Sequence, residues 1–241
     1  MGRPATVSII VPTRNEAARI ESCLGRLRSE FPDCELVVVD GGSTDGTVEL
    51  AARYAKVVHS AEGRATQMNA GAAVTTGDLL WFIHADCWVR PDALGLLRQA
   101  VLDPDVVGGG LRLRFDQRGL GLDYLAVSSN LRARRLSWIF GDQAMFVRRD
   151  VFDSVGGFPE IPLMEDLEMS RVLRRRGRLV VLPSTVTASA RRLVEQGPWR
   201  MCVLMQLLKL QYLLGVDPER IRRRYEAGTR RGRRRHPTPT R

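Results

Sequence analysis

Three apolar runs, each followed at once by a polar, acid-bearing segment, constrain this chain more than any other feature. Val7-Ser-Ile-Ile-Val11 leads into Pro12-Thr-Arg-Asn-Glu16. Leu36-Val-Val-Val39 leads into Asp40-Gly-Gly-Ser-Thr-Asp45, and Leu79-Leu-Trp-Phe-Ile83 into His84-Ala-Asp86. Short continuous apolar runs of this kind predict strands buried on both faces. The intervening segments carry helical signals: Ile20, Leu24 and Leu27 within 17–29, a capped stretch over 47–54, and 64–76 ending at Gly77-Asp78. Val57-Val58 adds a short strand, and Pro91 opens a helix to Leu102. Strands alternating with helices imply βαβ units and a mostly parallel α/β sheet flanked by helices. Ligands of such sheets bind outside the carboxyl ends of the strands, so the three polar segments are where chemistry is expected.

The second half is less regular. Val107–Phe115 and Ala144–Val147 read as strands, and Gly121–Ser137 as an amphipathic helix. Leu163–Arg176 carries acids first and Arg174-Arg-Arg176 last, which suits a helix dipole. Trp199–Leu214 and Pro218–Ala227 are expected C-terminal helices, and 229–241 a basic, disordered tail.

A chain of 241 residues with 44% hydrophobic content suffices for one core with appendages. The net charge of +10 is concentrated at one end: ten arginines and only three acids lie beyond residue 216. Cys23, Cys34, Cys87 and Cys202 lack C-x-x-C spacing, which argues against a structural zinc or redox pair and for a reducing cytosol. No signal peptide is visible. Met201–Val216 is interrupted by Gln206, Lys209 and Gln211 and is too short and polar to span a bilayer. A location in the cytoplasm, or at the inner face of its membrane, is expected. The helix from Trp199 could rest on a membrane surface, pack on the core, or meet a second subunit in a homodimer.

Each polar segment has a chemical reading beside a structural one. Asp40, before Gly41-Gly42, could accept hydrogen bonds from a nucleobase or ribose, or simply cap its own turn. Asp86 could hold Mn2+ or Mg2+ at the end of a buried strand, with His84 as a second ligand or as a structural histidine. Glu165 and Asp166 cannot both face one point on a helix. One could serve as a general base and the other contact acceptor or scaffold, and dipole compensation alone accounts for them equally well. Arg64 at a helix start, and Arg191-Arg192, could meet phosphate oxygens or remain solvated.

Taken together, Val7–Glu16, Val39–Thr47, Asn69-Ala-Gly71, Phe82–Asp86, Gly157-Phe158 and Glu165-Asp166 resemble glycosyltransferase family 2, inverting enzymes of the GT-A fold. The resemblance implies that Pro12, Thr13, Glu16, Asp40 and Arg64 contact the nucleotide. It implies that Asp86 is the metal-binding carboxylate of a D-x-D motif, its first Asp replaced here by His84, and that Asp166 is the general base. Asp142 and Gln143 lie where related enzymes place acceptor-facing residues, and uridine is the family's usual partner for an Asp at position 40. Longer strings, Gly63–Asn69, Gly141-Asp-Gln143 with Phe146, and Pro162–Asp166, resemble the branch found with arsenosugar biosynthesis genes. The implied organisation is a catalytic domain over 1–197, with a nucleotide-binding half (1–105) and an acceptor half (106–197), followed by C-terminal helices over 198–228.

The expected reaction moves a sugar from a nucleotide-diphosphate donor, a UDP-sugar first of all, to a hydroxyl of a small-molecule or lipid-linked acceptor. A sugar-phosphate nucleotidyltransferase is the nearest alternative. It is disfavoured because Pro12–Glu16 contains no glycine for a phosphate loop. A non-enzymatic binder of nucleic acid or acidic lipid would account for the arginine-rich end but leaves the strand-end acids unexplained.

Overall fold

A computed structural model describes residues 3–233. The first half runs β1 (Val7–Thr13), α1 (Ala17–Glu30), β2 (Glu35–Asp40), α2 (Thr47–Ala51), β3 (Lys56–His59), α3 (Arg64–Ala73) and β4 (Leu79–Phe82). These four strands lie side by side in the order β3-β2-β1-β4, all parallel. Alternation along them fills two cores. Ile9, Val38 and Trp81 point to the face covered by α1 and α2, whereas Ile10, Val37 and Phe82 point to the face covered by α3. This is why the strands read as unbroken apolar runs.

The second half continues with β5 (Cys87–Val89), α4 (Ala93–Ala100), β6 (Val106–Phe115), α5 (Leu120–Leu136), a 3-10 turn at Gly141–Gln143, β7 (Phe146–Arg148), α6 (Arg149–Ser154) and α7 (Glu165–Leu173). It ends with β8 (Arg178–Ala188), α8 (Arg191–Gln196), α9 (Pro198–Leu213) and α10 (Pro218–Arg233). The complete sheet has eight strands in the order β3-β2-β1-β4-β7-β6-β8-β5. β7 is antiparallel to both β4 and β6, β8 parallel to β6, and β5 antiparallel to β8. The sheet is therefore mixed and mostly parallel, flanked by helices, as expected.

The sequence reading lacked β5, α6, β8 and α8. The longest strand, β8, carries Pro183 and the polar Ser184-Thr185 within it, which break the apolar run of a buried strand. Pro183 lies where the β6–β8 register shifts between Gly110 and Arg112, a bulge that tolerates a missing N–H. α10 continues to Arg233, past residue 229 where the irregular tail was placed; the rest of that expected tail, 234–241, lies outside the described residues.

Two of the resemblance motifs turn out to tie the halves together. Asn69 and Phe158 exchange reciprocal hydrogen bonds, Asn69 Nδ2–H to the Phe158 carbonyl (2.9 Å) and the Phe158 N–H to Asn69 Oδ1 (2.8 Å). Gly71 lets α3 lie close on the sheet, since a Cβ there would stand 2.4 Å from Ile10 Cγ2. All four cysteines are free and buried. Among the described residues no helix is long and apolar enough to cross a membrane.

Candidate active site

The chain leaves β1 toward β2 on one side and returns to lay β4 on the other, so the strand order switches at β1. Over the carboxyl ends at this point lies a cavity of about 420 Å³ lined by Pro12, Thr13, Glu16, Arg64, His84 and Asp86, with Glu165 and Arg192 opposite. Seven of the site residues expected from sequence, Glu165 included, thus converge where the topology places a ligand.

Their partners differ. Thr13 Oγ1 is buried with no hydrogen-bond partner among the described residues, a group that a bound ligand would satisfy. Glu16 pairs with Arg19 (3.4 Å) and with Arg192 of α8 (3.2 Å), and its N–H donates to Thr47 Oγ1 (2.9 Å). Arg64, at the N-terminus of α3, makes no hydrogen bond or ion pair among the described residues. Desolvation pulls its pKa down, but the charges of Glu165 and Asp166, with Tyr225 and Asp86, outweigh this and raise it, so the guanidinium stays charged. An unpaired guanidinium beside helix N–H groups is a natural diphosphate contact.

Asp40 is placed differently. Its carboxylate accepts the N–H groups of Gly42 (2.9 Å) and Ser43 (3.0 Å) and the Ser43 hydroxyl. Burial pushes its pKa up, yet these hydrogen bonds and nearby His59 hold it below the usual carboxylate range. The side chain closes its own loop and does not line the cavity. Beneath that loop, the Gln67 side-chain amide donates from Nε2 to the carbonyls of Thr13 and Val39 (2.8 Å each), pinning the ends of β1 and β2 together. Gly41 is required above it, because a Cβ would stand 2.9 Å from the Gln67 amide carbon.

His84, Asp86 and Cys87 bring ligand atoms within 4.8 Å of one another. Burial, and the charges of Asp86 and Asp142, push the Cys87 thiol well up, so it offers no thiolate. Burial and the charge of Arg64 push His84 down to about 4, leaving a neutral imidazole with a free lone pair. The usable donors are therefore one imidazole and one carboxylate. That set suits Mn2+ or Mg2+ if other oxygens complete the shell. Gly141 packs on the His84 ring, where a Cβ would stand 2.7 Å from Nε2.

Met164, buried and left-handed (φ 73°), sets the turn that starts α7 and throws its two acids apart. Glu165 faces the first cavity. Burial, and then the charge of Asp166, raise its pKa to about 7 against the opposing pull of Arg64. Asp166 instead lines a second cavity of about 260 Å³ between the sheet end, α5 and α9. Its Oδ2 accepts the Gly141 N–H (3.0 Å), and its Oδ1 the Leu167 N–H (2.7 Å). The two cavities share Arg64, His84, Asp86, Arg192 and Tyr225 as walls.

Asp142 also lines the second cavity, with Oδ1 buried and unpartnered among the described residues. Burial raises its pKa, opposed by Arg132 and seconded by Asp166. Gln143 does not reach the cavity. It is fully buried, accepting from Arg132 (3.0 Å) and donating to the Leu111 carbonyl (3.3 Å), so the acceptor-facing role expected of it gives way to a structural one. The sequence reading also passed over Arg132, Lys209, Arg222 and Tyr225. α10 folds back so that Arg222 and Tyr225 line the first cavity, which no local pattern foretells.

The mixed sheet is the arrangement of GT-A enzymes. It is shared with the mannosyltransferase PcManGT from Pyrobaculum calidifontis, in complex with GDP-Man and Mn2+, at a TM-score of 0.64 and 24% identity over 86% of this chain and 63% of that one. Glucosyl-3-phosphoglycerate synthase from Mycobacterium tuberculosis, in complex with Mn2+, UDP and glucosyl-3-phosphoglycerate, gives 0.58 and 21% over 77% and 70%. In sequence the chain is similar to Glycosyltransferase AglE of Haloferax volcanii, 29% identical over 169 residues, or 64% of this chain and 56% of that protein. It is also 32% identical over 168 residues to a PGL/p-HBAD biosynthesis glycosyltransferase of Mycobacterium tuberculosis, or 63% of this chain and 62% of that protein. The chain thus spans less than two thirds of the length of these relatives. The profile described as Glycosyl transferase family 2 matches residues 8–156. Because that match runs from β1 past β7 and takes in Thr13, Arg64, Asp86 and Asp142, the chain belongs to glycosyl transferase family 2.

Proposed function

We propose that this protein transfers a sugar from a nucleotide-diphosphate donor to an acceptor hydroxyl with inversion at the anomeric carbon. The observation that carries the reading is the division of Glu165 and Asp166 between two cavities that meet at His84, Asp86 and Arg64. The first cavity takes the nucleotide diphosphate, with Pro12 and Thr13 at the strand end, Glu16 at its rim and Arg64 on phosphate oxygens. The second takes the acceptor.

In the reaction, the acceptor oxygen bonds to the anomeric carbon while the bond from that carbon to the diphosphate oxygen breaks. The bonding pair leaves on the nucleoside diphosphate, and the hydroxyl proton passes to the Asp166 carboxylate. Asp166 lies on the acceptor side of the shared wall, so attack comes from the face opposite the leaving group, which inverts the centre. The hydrogen bond from Gly141 N–H orients Asp166 for this task. Mn2+ or Mg2+, held by Asp86 with His84, would neutralise charge on the departing diphosphate. Solved neighbours complexed with GDP-Man and Mn2+ or with UDP and Mg2+ support this assignment.

The nucleobase is inferred as uracil from the family resemblance. Asp40 would act there through the loop it closes, since its carboxylate is already engaged. The placement near the arsenosugar-associated branch rests on residue strings alone and names no substrate. We place the reaction in the cytoplasm, in keeping with four unpaired cysteines.

The test is a thermal-shift panel of UDP, GDP, ADP, CDP and dTDP, each with and without Mn2+. A ligand at about 100 times its Kd stabilises the fold by about 2.7 kcal/mol. The expected result is a metal-dependent rise with one nucleotide, UDP, that is lost in Asp86→Ala. No rise with any nucleotide overturns the reading.

A further inference from the structure

Lys209 is a costly residue that the reaction above does not use. It sits in the C-terminal half of α9, only 8% exposed, flanked by Leu207, Leu208 and Leu210. Among the described residues it makes no hydrogen bond and no ion pair; its ammonium lies 5.5 Å from the centre of the Phe140 ring. A buried, unpaired lysine is expensive, and it is aimed into the acceptor cavity. Burial and the nearby Arg132 charge lower its pKa to about 8 against the opposing charges of Asp142 and Asp166. Arg132, stacked 3.6 Å over Phe140, lines the same cavity; its Nε–H donates to the Trp138 carbonyl and its Nη2 to Gln143, while Nη1 has no hydrogen-bond partner among the described residues.

The cavity does not end at these two cations. Arg132 and Lys209 are also walls of a slot of about 250 Å³ that leads away between α5 and α9, past Leu136, Trp138, Leu210 and Leu213. The two helices that form the slot also show apolar side chains to solvent, among them Val127 (67% exposed) and Leu131 on α5 and Val203 and Leu207 on α9. Large exposed apolar patches mark binding surfaces. The last turn of α5 adds exposed Arg134 and Arg135 beside it.

Resting on the transferase reading, we propose that the acceptor is a phosphate-bearing amphiphile: its anionic group sits at Lys209 and Arg132, its apolar chain leaves through the Leu210–Leu213 slot, and its hydroxyl reaches Asp166. The buried cation selects the head group, the slot selects the chain, and the order of groups along the cavity fixes which hydroxyl meets the base. Asp142, whose buried Oδ1 has no partner, then holds a second polar group of the acceptor.

The experiment is calorimetric titration of the full chain with monomeric dodecyl phosphate, inorganic phosphate and dodecyl maltoside. Lys209→Met, Lys209→Arg and Leu210→Gln are titrated beside it, and the UDP/Mn2+ thermal shift of every protein is recorded. Dodecyl phosphate is expected to bind the native chain. Lys209→Met should weaken it about tenfold or more, Lys209→Arg should restore most of the loss, and Leu210→Gln should weaken it severalfold. The UDP shift should be the same in all four proteins. Equal binding of inorganic phosphate would show a small phosphate acceptor and overturn the apolar route. Equal binding of dodecyl maltoside, or no effect of Lys209→Met, would overturn the anion subsite. A dimer dissociated by Leu207→Gln and indifferent to dodecyl phosphate would make the face a subunit contact and overturn the proposal. Absence of the UDP shift in the native chain would instead sink the transferase reading itself, so the two failures are told apart.

Discussion

The two cavities stand on one sheet end, yet their residues arrive by different routes. The walls of the first come chiefly from βα connections that follow β1, β3 and β4, so each lies within a few residues of the strand that places it. The walls of the second come from α5, the turn at Gly141–Gln143, α7 and α9, elements far apart in sequence that meet only on folding. The first is held by hydrogen bonds of the Asp40 and Gln67 side chains to the backbone, and by Asn15, whose Oδ1 accepts the Thr44 N–H and whose own N–H donates to Ser43 Oγ. The second mixes apolar walls with charged groups, of which Lys209 and Asp142 Oδ1 have no hydrogen-bond partner among the described residues. On the proposed reading, the donor diphosphate would occupy the former and the acceptor the latter.

The sharpest way to break this comparison is to exchange the roles of the two adjacent acids. Asp166→Asn keeps the Gly141 contact but removes the proton acceptor. It is expected to lower kcat about 10²–10⁴-fold while leaving the UDP thermal shift intact. Glu165→Gln should lower kcat much less. Single-turnover sugar transfer by the two variants decides between them. If Glu165→Gln were the more damaging, the acid facing the donor cavity would be the base and the assignment of the cavities would be reversed.

The same contrast explains what was legible in the sequence. β1, β2 and β4 are buried on both faces, so burial writes itself into the chain as Val, Ile and Leu runs, and the residues after them were found together at the site. Asp40 was legible in position but not in orientation, because the choice between a ligand and its own Ser43 depends on loop closure. Gln143 was legible as a site neighbour only; its burial depends on Arg132 and Leu111, both more than ten residues earlier in the chain. β8 was hidden by Pro183, and Lys209 looked like a break in a hydrophobic helix.

Glycine substitutions test the packing side of the comparison. A Cβ at Gly109 in β6 would stand 2.1 Å from the Val180 carbonyl, a backbone atom of the neighbouring strand that cannot turn away. A Cβ at Gly71 would stand 2.4 Å from Ile10 Cγ2, a side-chain methyl that α3 can clear by lifting slightly off the sheet. Gly109→Ala should therefore destabilise by about 3 kcal/mol and Gly71→Ala by about 1 kcal/mol, read from urea unfolding midpoints. Equal losses would mean that the acceptor half yields as readily as the nucleotide half.

A further contrast concerns the charge of Glu165. Burial raises its carboxyl from an ordinary 4.5 to about 7, so the folded state holds the proton more tightly than the unfolded one. The stability this proton supports is complete below about pH 4.5 and is lost as pH rises through about 7. Glu165→Gln, which mimics the protonated form, should match the native chain at pH 4.5. At pH 8 it should exceed the native chain by on the order of 1–2 kcal/mol in denaturant unfolding without nucleotide. A less stable variant at pH 8 would show that Arg64 holds a charged Glu165 and that attraction outweighs burial. The distinction reaches the chemistry. A carboxyl that is half protonated at neutral pH repels a diphosphate less than a full charge would. UDP affinity should therefore weaken from pH 6 to pH 8 in the native chain by more than it does in Glu165→Gln, and the difference isolates the one acid of the pair that faces the donor.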